Sequence, residues 1–116
     1  MYIKLNNLNN VKSYNIAVGE NEETVILANA NQKKSTKLMN FINNNKLNNI
    51  NSFFIDCDAK NIESQEINIL KNILKNFKGK LKIFIETKNV DEVSNLVQRN
   101  NLTFSRITNR HFYLNR

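Results

Sequence analysis

The segment Ala28–Thr36 joins an apolar run to a helix-like pattern and ends in Lys33-Lys34-Ser35-Thr36. Its outline is that of a phosphate-binding loop, in which backbone amides cradle the anion while a lysine and a hydroxyl complete the site. Such a loop needs glycine, because a side chain keeps the amides from approaching the phosphate. Here Ala28 and Lys33 fill the two glycine positions, so nucleotide hydrolysis is not expected. Two lysines at a helix N-terminus would still anchor an RNA phosphate. Asp56, Asp58 and Glu86 fall near the C-terminal ends of two expected strands, the usual ligand edge of an open α/β sheet. Three carboxylates can hold magnesium for nuclease chemistry, but exposed strand ends are commonly polar and no base is fixed beside these. The plainer reading is preferred. Cys57, in an apolar stretch, reads as a core residue and not a nucleophile. His111 is the only histidine, which excludes a histidine-rich metal site and leaves a Cys–His pair that the spacing does not support. The last eleven residues hold Arg106, Arg110, His111, Tyr113 and Arg116. Cations mixed with rings are a common route to RNA, through guanidinium contacts and stacking, while Phe112 and Leu114 alternate with them as an inward set.

These residues must be positioned by alternating strands and helices. Tyr2–Leu5 and Tyr14–Val18 read as short strands joined by the polar turn Asn6–Asn10, and Gly19–Glu23 as a further turn. Thr24–Ala28 and Ser52–Cys57 are apolar runs bounded by polar residues, the pattern of buried strands. Between them Leu38, Met39, Phe41 and Ile42 give a helix its apolar side, with Ser35 or Thr36 as its cap; Asn43–Asn51 reads as a polar loop. Ile67, Leu70, Ile73, Leu74 and Phe77 recur at helical spacing, and Gly79 is placed to take a left-handed stop. Lys71, Lys75 and Lys78 form a stripe on the opposite side of that helix. Leu81–Glu86 is the next strand, a parallel neighbour of Ser52–Cys57. Asn89 with Glu92 resembles a capping box ahead of Val90, Val93, Leu96 and Val97. Phe104–Thr108 and His111–Leu114 are extended, as one bent strand or as a hairpin about Thr108–Arg110. The expected fold is one α/β domain over residues 1–116, a mixed sheet of five to six strands flanked by three helices.

Composition sets the limits. A chain of 116 residues has room for one core. No apolar run approaches a membrane span, and a lone cysteine cannot form an internal disulfide. We count 25 asparagines against 2 glycines and no proline, a bias toward AT-rich codons that suggests a mitochondrion or other organelle, with an endosymbiont, a phage or the cytoplasm of an AT-rich bacterium or parasite as the alternative. The net charge is +7, and it is clustered. No acid lies between Glu23 and Asp56, between Glu66 and Glu86, or after Glu92, and all four arginines fall in that last stretch. Clustered cations attract phosphate backbones.

The second half resembles the small-subunit ribosomal protein eleven family over about half the chain. Ser64–Gly79, Lys80–Glu86, Thr87–Val90, Asp91–Asn101 and Phe104–Arg116 follow that family's order of helix, strand, phosphate-facing loop, helix, and terminal strand with a basic tail. Arg106-Ile107-Thr108-Asn109 resembles its last strand. The family's glycine- and proline-rich loop and its histidine–asparagine–glycine tail are absent. Over nearly its full length the chain is also similar to STAS domains, which implies a regulatory protein-interaction module as the alternative function. There the strand Phe53–Asp58, the loop Ala59–Glu63 and Ser64 would correspond to the strand, loop and phosphorylatable serine. The glycine that follows is replaced by Gln65 and Glu66, and an ordinary cap is the simpler role for Ser64. The expectation drawn from charge and resemblance is a structural, non-enzymatic RNA-binding protein without cofactor. Its partners would be ribosomal RNA and neighbouring ribosomal proteins, with no membrane or small-molecule substrate. The contacts would come from Lys33, Lys34, Lys71, Lys75, Lys78, Arg106, Arg110, His111 and Arg116.

Overall fold

The computed structural model describes residues 11, 12, 14, 16–19, 22, 24–26, 31–47, 49–57 and 64–116. In chain order the elements are β1 (Ala17–Gly19), β2 (Thr24–Ile26), β3 (Gln32–Lys37), α1 (Leu38–Asn44), β4 (Ser52–Ile55), α2 (Gln65–Asn76), β5 (Lys82–Glu86), α3 (Val90–Arg99), β6 (Thr103–Arg106) and β7 (His111–Asn115). The class is α/β with three helices, as expected, but the described strands divide between two mixed sheets: β1-β3-β2 and β4-β5-β7-β6. The strand expected at Tyr2–Leu5 lies outside the described residues.

Period-two alternation sets the larger sheet. β4 runs parallel to β5, a pairing that needs the α2 crossover between them. β5 and β7, and then β7 and β6, are antiparallel. Ile83, Ile85, Phe112 and Leu114 are buried on one face. Against them α2 turns Ile67, Leu70, Ile73 and Leu74, and α3 turns Val93 and Val97, into one cluster. Burying a side chain of this size stabilises by roughly 1.5–3 kcal/mol. Truncating fully buried Leu70 would break the seam at a cost of about 2–5 kcal/mol.

The smaller sheet packs beside α1 and the start of α2. Gly19 allows this approach, because a Cβ there would lie 3.2 Å from Gln65 Nε2 and 3.5 Å from Ser35 Oγ. Ser35 is therefore a buried strand residue and not the expected cap. The α1 N-cap position is Lys37, which makes no side-chain capping bond. Strand pairing on both sides of β3 outweighed the capping signal.

Helix ends also differ from expectation. Gly79 does not adopt a positive φ, and α2 stops where Phe77 turns extended. The left-handed stops fall on Lys46 and Asn101, both at φ 54°. There Leu47 N–H donates to the Ile42 carbonyl at 3.0 Å and Leu102 N–H to the Val97 carbonyl at 3.1 Å, closing Schellman turns. Asn89 precedes α3 without making a side-chain cap. The two terminal strands form a hairpin, and not one bent strand.

Candidate nucleic-acid interface

Both helices of the main layer run opposite to β4 and β5, and hydrogen bonds fix which ends meet. At one end Thr87 Oγ1 donates to Glu66 Oε1 at 2.8 Å, and Asn89 Nδ2 donates to Ser64 Oγ at 2.8 Å and to Glu66 Oε1 at 3.4 Å. The start of α2 is thereby tied to the turn between β5 and α3. At the other end the Arg116 guanidinium donates to three carbonyls: Phe77 at 2.8 Å, Gly79 at 2.9 Å and Asn100 at 2.9 Å. Phe77 and Asn100 are the C-caps of α2 and α3, so one cation serves the negative ends of two helix dipoles.

This frame gathers the acids at one end. Glu66, Asp91 and Glu92 lie in the first turns of α2 and α3, and Asp56 and Glu86 follow or end their strands at the same end. Lys75 and Arg99 occupy the last turns, beside exposed Lys78, Lys80 and Lys82. Of the described acids only Glu22 lies outside the first group, and none lies at the helix C-terminal end.

The residues expected to bind RNA do not gather in one place. Lys33 and Lys34 lie on β3, opposite Val25 and Thr24, so the expected phosphate anchor at a helix N-terminus is not formed. Lys33 is half-buried and Lys34 exposed. In the expected α2 stripe, Lys71 Nζ sits 3.8 Å from Glu92 Oε2 on α3, Lys75 is exposed, and Lys78 lies beyond the helix with Nζ 3.3 Å from the Leu74 carbonyl. Lys75, Lys78 and Arg116 share the basic end. Arg106, Arg110 and His111 lie at the opposite one. Arg106 donates to the Thr108 and Asn109 carbonyls, each at 3.2 Å, and its guanidinium carbon lies 5.6 Å from the Phe112 ring centroid. That side chain orders the hairpin turn. His111 Nδ1 is 2.6 Å from Thr108 Oγ1, and its Nε2 is 3.8 Å from Glu86 Oε2. The stretch expected as a basic tail is strand β7.

Of the expected carboxylate group, Asp56 is exposed, Glu86 faces His111, and Asp58 lies outside the described residues. Among the described residues no three His, Cys, Asp or Glu side chains are grouped to hold a metal. Cys57 lines an apolar cleft of about 330 Å³ between β1, α1, β4 and α2. Burial, then the neighbouring Glu66 and Asp56 charges, push its thiol from 9.0 up to about 12. It is therefore protonated near neutrality, as a core reading requires and a nucleophile does not. Ser64 takes a left-handed conformation at φ 54° and makes no cap bond. Its hydroxyl accepts from Asn89, so it is neither the ordinary cap nor an open hydroxyl.

Phe54 and Phe84 were missed, because Ser52–Cys57 was expected to be buried on both faces. β4 is an edge strand, and Phe54 is 70% exposed and Phe84 41% exposed. Register aligns Phe54, Phe84 and Tyr113 across three strands. Their ring centroids are 6.4 Å and 4.6 Å apart. The alternation Lys82-Ile83-Phe84-Ile85-Glu86 carried the signal, since it sets Phe84 with the two charged residues. No family model matches this chain, and no curated protein or solved structure matches it either.

Proposed function

We propose that this chain is a structural RNA-binding protein of a ribonucleoprotein, of the kind built into a ribosomal small subunit, in an organelle with an AT-rich genome. The supporting observation is the cluster of cations at the helix C-terminal end, from which every described acid is absent. Lys75, Lys78, Lys80, Lys82 and Arg99 crowd the helix C-terminal end with no described acid among them. Arg116 is already committed to carbonyls, yet its charge remains there. A cationic end on a protein of net charge +7 gives a polyanion a preferred side from which to approach.

The binding surface is thus narrower than the sequence implies. It is centred on Lys75, Lys80 and Lys82, with Arg106 serving the hairpin and Lys71 serving the α2–α3 contact. The test is sedimentation of the native protein through a sucrose gradient at moderate and then high salt. Migration with a ribosomal subunit, loosened only by high salt, is the expected result. Migration as a free small protein, or with a partner free of nucleic acid, overturns the proposal.

A further inference from the structure

We infer that the uncovered face of the β4-β5-β7-β6 sheet is a stacking site for unpaired bases of single-stranded RNA, an inference that rests on the RNA-binding reading above. Among the described residues, the helices cover only one face of this sheet. On the other, register places Phe54, Phe84 and Tyr113 in one row. Within the four strands every apolar side chain turned to that face is an aromatic ring, and the aliphatic Ile107, 57% exposed, follows β6 at the Glu86 rim.

That composition decides the occupant. The core of a protein interface is depleted of charge even where it is rich in rings, whereas Lys82 stands in the row directly beside these. A row of rings flanked by hydrogen-bonding side chains suits bases, each of which has a π-face to stack and polar edges to satisfy. The neighbouring row supplies those polar groups: Ser52, Lys82, Asn115 and Thr103 are aligned across the four strands. Asn115 Nδ2 donates to Tyr113 Oη at 3.3 Å, and Thr103 Oγ1 donates to Asn115 Oδ1.

Charge complementarity orients the strand. Lys82 lies two residues before Phe84 on the same face, and the basic end continues beyond it through Lys80 and Lys75. The opposite rim mixes its charges: Glu86, 3.8 Å from His111, and Asp56 lie there with Lys88, Arg110 and Arg106, the last committed to the Thr108 and Asn109 carbonyls. The phosphate backbone therefore passes on the Lys82 side, with the bases reaching back over the rings. Duplex RNA has no unstacked base to offer, and its phosphates would meet the basic end alone.

The experiment compares binding of a labelled single-stranded oligouridine and of a blunt-ended two-strand RNA duplex, by fluorescence anisotropy, to the full chain and to Phe54→Leu and Phe84→Leu. Leucine keeps apolar area at these exposed positions and removes the ring, and Phe54→Tyr restores it. The expected result is a loss of about tenfold per ring for the single strand, recovery with Phe54→Tyr, and duplex affinity within about twofold of the parent. Unchanged single-strand binding in both leucine variants, with salt-dependent duplex binding intact, overturns the stacking site and leaves the RNA-binding reading standing. Absence of salt-dependent binding to either RNA overturns both. A concentration-dependent dimer broken by Phe54→Leu assigns the face to a second copy and overturns the inference.

Discussion

Arg116 shows most clearly how a residue type can suggest the wrong role. Its position in a basic stretch suggested a nucleic-acid contact, but its guanidinium caps two helices and the β5 approach together. Substitution by Met, which keeps the aliphatic stem, should lower unfolding free energy by about 2 kcal/mol in urea titration, since bonds from a charged donor are lost. It should change RNA affinity less than Lys82→Gln does. Cys57 gives a second test at this scale. The folded thiol holds its proton more tightly than an unfolded one, so its contribution to stability is complete below pH 9.0 and falls as pH rises toward about 12. Cys57→Ala should lack that alkaline component, and a thiol reagent at pH 8 should label the native chain far more slowly than the denatured one. The chemical type of Cys57 was legible in its apolar neighbours. The work done by Arg116 was not, because its three acceptors lie 16 to 39 residues away in sequence.

At the scale of elements, the strongly periodic pieces were the legible ones. α2, α3 and β5 form where apolar spacing places them, because their burial and their period agree. The unexpected left-handed helix stops share a cause in the scarcity of glycine. With 2 glycines in the chain, left-handed helix stops fall on Asn101 and Lys46, positions that no glycine marks. Asparagine tolerates that conformation, whereas lysine is strained by about 1 kcal/mol. Lys46→Gly should therefore stabilise the protein by about 1 kcal/mol, read as a raised midpoint with an unchanged denaturant slope. A lower midpoint would mean that the lysine side chain makes a contact worth more than the strain. Ser35 misled for a different reason. A serine before an apolar helix pattern reads as a cap, and only the pairing of β3 with β1 and β2 shows it to be a buried strand residue.

For the molecule as a whole, net charge was legible but its arrangement was not, since the two ends are defined only once antiparallel helices stack against parallel strands. Replacing Lys75, Lys80 and Lys82 together with glutamine should weaken RNA binding and lower the slope of log affinity against log salt by about 2 for single strands. The same number of changes at Lys33, Lys34 and Arg110 should lower it less. Equal effects would show that total charge, and not its placement, governs binding. The aromatic face was hidden for a similar reason, because an apolar run does not declare whether one side or both will be covered. The sheet order has a further consequence, for the time course of folding. β7 lies between β5 and β6 although it follows both in the chain, so β6 has nothing to join until β7 exists. Until then the growing sheet ends at β5 with its backbone donors and acceptors unpaired, a template for association with other chains. The hairpin of β6 and β7 closes through local contacts, and it should form first and dock onto β5 as a unit. Thr108→Ala, which removes the hydroxyl that holds the turn at Arg110 and His111, should therefore slow folding more than it speeds unfolding.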